Sequence, residues 1–224
     1  MAPAFYSIPL LAVTVPFLVR AGILGKRRQV YVLKPLSTLI VIAAAALSFL
    51  RPERSMTYTI GVLVGLALSL AGDVALMFEE RRRAFLAGLG SFLLAHVAYA
   101  VVFGILGRAS WWDALSALIL LAVGGILYRR LRPRLEGMRG PVLAYIVAIS
   151  LMVSRAVSTL PSPALGTGQA AMIAVGAVSF YLSDAILALC RFWRPWRYRR
   201  ISLAFYYAGQ LLIALAASLF GSAA

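Results

Sequence analysis

Long apolar runs, separated by short polar or basic segments, make up most of this sequence. Eight of them approach the roughly 20 residues that an α-helix needs to cross a bilayer. Because lipid offers no hydrogen-bond partner to an open backbone, each run predicts a membrane-spanning helix. The predicted spans are Phe5 to Gly22, Tyr31 to Leu50, Thr57 to Phe78, Ala84 to Leu106, Trp111 to Leu127, Gly140 to Leu160, Gly168 to Cys190 and Ile201 to Phe220.

The composition agrees with an integral membrane protein. Of the 224 residues, 62% are hydrophobic and 13% are charged, and the mean hydropathy is +0.91. The connections between the spans are too short to fold separately. Residues 1–224 are therefore predicted to form a single transmembrane domain, an all-α bundle of eight helices.

The charged residues indicate how the bundle lies in the membrane. The chain has 22 Lys and Arg against 7 Asp and Glu, a formal charge of +15, but no soluble domain is left to carry a nucleic-acid surface, which excludes nucleic acid as a partner. Sixteen basic residues lie in the connections after spans one, three, five and seven. By the positive-inside rule, these connections face the cytoplasm and both termini lie outside. We expect a multi-pass protein of the bacterial inner membrane.

Few residue types are left for metal chemistry. Cys190 is the single cysteine, which excludes an internal disulfide and a thiolate cluster, and His96 is the single histidine, which excludes a multi-histidine zinc site. Any chemistry is expected to rest on oxygen acids and amines, with no metal and no cofactor.

Two acidic residues lie inside apolar spans. Five of the seven acids are in loops or at span ends, whereas Asp73 and Asp184 are within spans three and seven. A carboxylate at the bilayer centre costs roughly 2.5–3.5 kcal/mol on insertion scales, so such residues are candidates for function. The alternative is that each aspartate only joins helices through hydrogen bonds. Two aspartates in similar local sequence favour function.

The two halves of the chain resemble each other. AGDVALMF and LSDAILAL share a small residue, the aspartate and a leucine three positions later, and the aspartates are 111 residues apart. The same offset relates Lys34 to Tyr145 and His96 to Tyr207. This pattern predicts tandem four-helix halves, about residues 1–110 and 111–224, with a shared site between them.

The predicted topology brings the polar residues of the spans to similar depths. At 1.5 Å of rise per residue, the aspartates lie one to two turns from the cytoplasmic ends of their helices. The first few turns of neighbouring spans supply Lys34, Tyr145, Tyr206, Tyr207 and Gln210 from the same side, while His96 and Tyr99 lie deeper. This layer predicts a polar pocket open to the cytoplasmic leaflet.

Lys34 is one of only two lysines, against twenty arginines. A compact ammonium group can pair with a buried carboxylate or a phosphate where a planar guanidinium does not fit. The alternative is a terminal lysine that reaches out to the interface. We favour pairing.

The motifs together resemble a known family. KPLS at Lys34–Ser37, GDVALM at Gly72–Met77, GLGSFLLAHVAY at Gly88–Tyr99, GAVSFYLSDAILAL at Gly176–Leu189 and YYAGQLLI at Tyr206–Ile213 follow one another, with a Tyr145-bearing sixth span, as in the YhhN-like lysoplasmalogenase family of eight-span membrane proteins. Members of that family hydrolyse the vinyl ether bond of lysoplasmalogens to a fatty aldehyde and glycerophospho-ethanolamine or glycerophospho-choline. The resemblance implies an ether hydrolase whose site includes Lys34, Asp73, His96, Tyr99, Asp184, Tyr207 and Gln210.

Vinyl ether hydrolysis suits these residues. It begins with slow protonation of the β-carbon, and the resulting oxocarbenium ion is attacked by water, so the site needs one acid and one nearby anion, as glycosidases do. The predicted catalytic residues are Asp73, Asp184 and His96, although a lone histidine in a bundle is more often a packing residue. The predicted residues for binding a lysophospholipid substrate are Lys34, Tyr99, Tyr145, Tyr206, Tyr207 and Gln210.

Other classes of protein also use membrane aspartates. A proton-coupled transporter of a small molecule or lipid is the main alternative, although its repeats usually contain helices broken at the midplane. An intramembrane aspartyl protease carries a GxGD motif, whereas Leu70 stands here in place of its first glycine. A structural or lipid-binding protein is the third alternative.

Overall fold

The computed structural model describes residues 3–196 and 199–220, and this part of the chain forms eight long α-helices and no strand. With their adjoining 3-10 turns, all eight are long and apolar enough to cross a membrane, which confirms the predicted all-α membrane bundle. The helices are α1 (Ser7–Ile23), α2 (Arg27–Ala46), α3 (Met56–Leu76), α4 (Arg82–Leu106), α5 (Trp111–Leu131), α6 (Arg139–Val157), α7 (Thr167–Phe192) and α8 (Ser202–Ala216).

Several helices extend beyond the apolar runs that predict them. Helix α2 begins at Arg27 rather than near Tyr31, and α5 continues to Leu131 before a 3-10 turn at Arg132–Arg134. Hydropathy marks only the part of a helix that lies in hydrocarbon, whereas the backbone stays helical into the headgroup region, where long basic side chains reach polar surroundings. The loops in the structure are therefore shorter than the loops predicted from the sequence.

Two pairs of helices pack most closely, α3 with α4 and α7 with α8. Glycines allow the close approach: a β-carbon at Gly65 would overlap the ring of Tyr99, and one at Gly209 would lie 2.6 Å from the carbonyl oxygen of Gly176. Helix α8 also contacts α1, α2 and α3, and is the most buried of the eight. Helix α5, which packs on α6 and α7, is the least buried.

The pattern of helix pairs recurs after four helices. The pairs α1–α2, α2–α3 and α3–α4 have counterparts in α5–α6, α6–α7 and α7–α8, and the contact between α2 and α8 has its counterpart between α6 and α4. Tandem parallel halves require this recurrence. The two-halves organisation stays a prediction, and the recurrent pairing supports it.

The connections rich in basic residues meet at one end of the bundle, which we call the basic end. Arg27 at the start of α2 pairs with Glu80 in the α3–α4 connection at 2.7 Å, and Nη2 of Arg191 donates to the carbonyl oxygen of Glu79 at 3.4 Å. The side chain of Arg200 lies against Gly22 at the end of α1. The functional candidates lie just inside this end.

Candidate functional site

Asp73 and Asp184 lie on the wall of one cavity at the basic end, with a volume of about 170 Å³. Asp73 is three residues before the end of α3, and Asp184 is eight residues before the end of α7. Three more of the predicted site residues share the wall: Lys34, Tyr145 and Tyr206. The structure thus brings together five residues from five helices, α2, α3, α6, α7 and α8.

The rest of the wall is mostly apolar near the aspartates and basic at the mouth. The apolar part includes Leu89 and Phe92 of α4 and Val142, Ile146 and Ile149 of α6. The mouth carries Arg191, Arg199 and Arg200, together with Glu79. Such a cavity suits an amphipathic ligand with an apolar chain and an anionic group.

Asp73 is almost fully buried, and both of its carboxyl oxygens have donors. Nζ of Lys34 lies 3.0 Å from Oδ1, and Oδ2 accepts hydrogen bonds from the hydroxyls of Thr38 and Tyr206, each at 2.7 Å. A cation and two hydroxyl donors are the partners that an ionised carboxylate needs when it is removed from water. Lys34 therefore pairs with a carboxylate, as we favoured from the sequence, rather than reaching out to the interface.

Helix α8 holds the turn of α2 that carries Lys34. The hydroxyl of Tyr207 donates to the carbonyl oxygen of Lys34 at 2.8 Å, and Nε2 of Gln210 donates to the hydroxyl of Tyr206 at 3.1 Å. Neither Tyr207 nor Gln210 is on the cavity wall. These two predicted binding residues therefore position the groups that contact Asp73.

Asp184 has different neighbours. The hydroxyl of Tyr145 donates to its Oδ2 at 2.5 Å, and Nε2 of His96 lies 3.7 Å from the same oxygen, beyond hydrogen-bond distance. No Lys or Arg of the described residues lies within ion-pair distance of Asp184, and its Oδ1 accepts no hydrogen bond from them. About 13% of the side chain stays exposed at the cavity. Asp184 is thus the less satisfied of the two aspartates.

His96 and Tyr99 lie behind the cavity wall rather than on it. The His96 ring is fully buried, perpendicular to the rings of Tyr145 at 5.2 Å and Phe180 at 4.9 Å. Tyr99 stacks on Phe103 at 6.0 Å and packs against Gly65. His96 contacts the site through Tyr145 and Phe180, and Tyr99 contacts it through Phe180. Neither is on the cavity wall, so a direct contact with substrate is not part of this geometry.

Some site residues were not predicted from the sequence. Thr38 is one turn after Lys34 on α2, and that four-residue spacing is a signal that could have identified it. Phe180 contacts the rings of Phe92, His96 and Tyr206, but nothing distinguishes it from an ordinary core phenylalanine in the sequence. The positive-inside rule already explains the arginines at the mouth, so the sequence gives no reason to place them on a cavity wall.

Known proteins resemble this chain over most of its length. The model of the YhhN family matches residues 29–217. The bovine lysoplasmalogenase TMEM86A is 32% identical over 183 residues, covering 80% of this chain and 72% of that protein. Human lysoplasmalogenase TMEM86A is 31% identical, with the same two coverages. The membrane protein YhhN of Escherichia coli O157:H7, named as uncharacterized, is 31% identical over 87% of this chain and 90% of its own length. No solved structure matches the chain.

Proposed function

Since this chain belongs to the YhhN family, we propose that it hydrolyses the vinyl ether bond of lysoplasmalogens to a fatty aldehyde and glycerophospho-ethanolamine or glycerophospho-choline. The relatives named lysoplasmalogenase support the substrate class. The cavity supports it independently, because an apolar wall and a basic mouth surround two carboxyl groups.

The observation that carries this proposal is the unequal bonding of the two aspartates in one cavity. Asp73 is paired with Lys34 and bonded by two hydroxyls, which suits a permanent anion. Asp184 has a free Oδ1 and no Lys or Arg partner among the described residues, which suits a protonated carboxyl group. A pair of carboxyl groups in opposite protonation states is what vinyl ether hydrolysis requires.

In the proposed mechanism, Asp184 is the general acid. Its proton passes to the β-carbon of the vinyl ether, whose π electrons form the new C–H bond, and the positive charge moves to the ether oxygen and the adjacent carbon. The ionised Asp73 stabilises this oxocarbenium ion electrostatically. Tyr145 holds Oδ2 of Asp184 so that Oδ1 faces the substrate.

Water completes the reaction. Its oxygen attacks the oxocarbenium carbon and its proton returns to Asp184, which restores the acid and leaves a hemiacetal. The hemiacetal then breaks its bond to the glycerol oxygen, which takes up a proton as the remaining hydroxyl loses one. The products are one aldehyde and one alcohol for each water consumed.

The decisive experiment measures aldehyde release from lysoplasmenylethanolamine by the purified protein and by Asp73→Asn and Asp184→Asn variants. We expect each variant to lose about 10²–10⁴-fold in turnover, the usual contribution of a general acid or a preorganised charge. Asp113→Asn is the matched control, because Asp113 pairs with Arg155 at 3.3 Å and is not on the cavity wall. Wild-type turnover in both site variants would overturn the mechanism.

Two further measurements separate this reaction from others. In deuterated water the aldehyde, trapped by reduction, is expected to carry one solvent deuterium at the carbon next to the carbonyl. Proton-driven flux in proteoliposomes without any lipid product would instead support a transporter.

We also propose that the basic end faces the cytoplasm, which would open the cavity to the inner leaflet of a bacterial inner membrane. In a Cys190→Ser background, Ala164→Cys would then react with an impermeant thiol reagent outside the cell, and Glu136→Cys would not. Both positions are exposed, at opposite ends of the bundle. The reverse labelling would overturn the orientation.

A further inference from the structure

Three arginines at the mouth of the cavity have no acidic partner. Arg191, Arg199 and Arg200 are on its wall, and none of them lies within ion-pair distance of a carboxylate in the described residues. The one acid on the same wall outside the site is Glu79, whose backbone oxygen accepts from Arg191. The mouth therefore has an excess of positive charge where a ligand would enter.

Topology alone does not account for this placement. The positive-inside rule requires basic residues in the connection between α7 and α8, but it does not require them to line a cavity. Arg27, in another basic connection, is paired with Glu80 at 2.7 Å. The three arginines of the mouth are set apart because they are both unpaired with acids and next to the catalytic cavity.

Lys34 is not available to bind an anionic group of the substrate. Its Nζ is 3.0 Å from Oδ1 of Asp73 and 3.5 Å from the carbonyl oxygen of the same residue. A phosphate bound at Lys34 would compete with the buried carboxylate and leave it unpaired, which is costly. An anion in this cavity therefore needs another cation.

Arg191 is well placed to be that cation. It follows Asp184 by seven residues, two turns of α7 or about 10.5 Å, so both side chains lie on one face of the helix. Side chains on a helix lean toward its N-terminus, which directs Arg191 back toward the aspartate. In a lysoplasmalogen, the glycerol backbone places five bonds between the ether oxygen and the phosphorus. A substrate whose vinyl ether lies at Asp184 can therefore extend its phosphate along α7 toward Arg191.

Two of the three arginine side chains, Arg191 and Arg200, are held by packing. The guanidinium of Arg191 lies over the ring of Phe85 at 5.1 Å, and Phe85 is also on the cavity wall. The side chain of Arg200 lies against Gly22, where a β-carbon would come within 3.0 Å of its Cδ and Nε. Such restraint lowers the entropy lost when a planar guanidinium binds an oxyanion.

We infer that Arg191, with Arg199 and Arg200, forms a subsite for the phosphodiester of a lysophospholipid and thereby sets the preference for phospholipid over neutral ether lipid. This inference rests on the proposed function, because it places the scissile bond at Asp184 and the phosphate two turns along α7. Arginine suits the role because its planar group can donate two parallel hydrogen bonds to a phosphate.

The test measures binding apart from catalysis. Two saturated ether lipids that cannot be hydrolysed, 1-alkyl-lysophosphoethanolamine and 1-alkylglycerol, are titrated onto the protein in nanodiscs. We expect the wild type to prefer the phospholipid, and Arg191→Gln to weaken its binding by at least about tenfold while leaving 1-alkylglycerol unchanged. Arg191→Lys keeps the charge without the planar group, so its affinity for the phospholipid should lie between those of the wild type and Arg191→Gln.

Arg130→Gln is the matched control. The guanidinium of Arg130 also lies over an aromatic ring, Trp193 at 4.7 Å, but Arg130 is not on the cavity wall. The Arg130→Gln variant should bind both lipids as the wild type does. Thermal unfolding of each variant identifies any loss of affinity that comes from misfolding, and the Lys variant then provides the answer if the Gln variant is unstable.

Competition identifies the source of the phosphate. Displacement of the alkyl phospholipid by glycerophosphoethanolamine at concentrations where inorganic phosphate fails would support a headgroup subsite, whereas equal displacement by both would indicate a free phosphate site and overturn the inference.

Hydrolysis of lysoplasmenylethanolamine and 1-alkenylglycerol separates the inference from the proposed function. Here Arg191→Gln should raise KM for the phospholipid alone and keep kcat. Wild-type protein that releases no aldehyde, yet shows the Arg191-dependent preference in binding, would disprove the hydrolase and keep the subsite. Aldehyde release with no effect of Arg191→Gln on either lipid would disprove the subsite and keep the hydrolase.

Discussion

Asp73 and Asp184 are built into the bundle in the same way but are surrounded by different partners. A residue 39 positions earlier in the chain contacts each aspartate, Lys34 for Asp73 and Tyr145 for Asp184. The first supplies a permanent charge and the second only a phenolic hydroxyl. In the proposed mechanism, these two helix positions hold carboxyl groups in opposite protonation states, because their different partners stabilise different forms.

The helices that flank each aspartate also supply different partners. Tyr206 on α8 donates to Asp73 on α3, and His96 on α4 lies 3.7 Å from Asp184 on α7. The offset of 111 residues relates His96 to Tyr207, the chain neighbour of Tyr206, and Tyr207 donates to the carbonyl oxygen of Lys34 rather than to Asp73. The predicted tandem halves would explain this arrangement as one ancestral site whose two copies have taken different roles.

The largest effect is expected from removing the charge beside Asp73. Lys34→Met leaves a buried carboxylate without its cation, which typically costs about 3–5 kcal/mol of stability. We expect a large drop in the unfolding temperature and a loss of aldehyde release of about 10³-fold or more, since the anion that stabilises the oxocarbenium ion is neutralised or displaced.

The control for Lys34→Met is Arg155→Met, which breaks the ion pair with Asp113 outside the cavity. That pair is more exposed, so its loss should lower stability less and leave turnover near the wild-type value. Equal turnover in Lys34→Met and the wild type would show that Asp73 does not act as an anion.

The second largest effect is expected at the corresponding position beside Asp184. Tyr145→Phe removes the hydroxyl that donates to Oδ2 and leaves the carboxyl group free to rotate. A hydrogen bond to a charged or polarised group is worth about 1.5–3 kcal/mol, so turnover should fall by about 10–100-fold.

Tyr181→Phe is the matched control for Tyr145→Phe, because Tyr181 is on the same wall and its hydroxyl bonds to neither aspartate. The readout is kcat for aldehyde release in both variants. An equal loss in both would mean that the cavity needs tyrosine hydroxyls in general and that Tyr145 has no special role.

The sequence was sufficient to predict the membrane bundle because hydrophobicity directly selects spans in lipid. The sequence predicts all eight helices, and its errors lie at their ends, where arginines such as Arg130 continue a helix beyond the hydrocarbon. The two aspartates and Lys34 could also be identified, because ionisable residues are costly in a span and so are rare there.

The division of the site into wall and support could not be predicted. Depth along a helix follows from counting residues, but the direction in which a side chain points depends on how the helices rotate against each other. His96 and Gln210 lie at or near the depth of the predicted layer, yet both are fully buried and neither is on the cavity wall. Arg191 is the opposite case, because it is on the cavity wall although nothing in the sequence indicates this. The positive-inside rule already accounts for its charge.

A smaller effect is expected from His96, which the resemblance places among the catalytic residues. His96→Phe keeps a ring against Tyr145 and Phe180 but removes the nitrogen near Asp184. Because that nitrogen is beyond hydrogen-bond distance, we expect turnover to fall by only about fivefold. A loss as large as that of Asp184→Asn, in a variant that unfolds at the wild-type temperature, would make His96 a proton-transfer residue instead.

An effect as small as that of His96→Phe should come from Thr38, which supplies one of three donors to Asp73. Thr38→Val keeps the shape and removes the hydroxyl, leaving Lys34 and Tyr206 in place, so we expect a loss of about 1 kcal/mol, or roughly fivefold in turnover. Ser37→Ala, one residue away on α2 and bonded to Thr14 rather than to an aspartate, should have no effect on turnover.

Combining Thr38→Val with Tyr145→Phe tests whether the two carboxyl groups act independently. Effects that multiply would indicate separate roles, an anion at Asp73 and an acid at Asp184, whereas a double variant no worse than Tyr145→Phe alone would mean that one proton is shared between them.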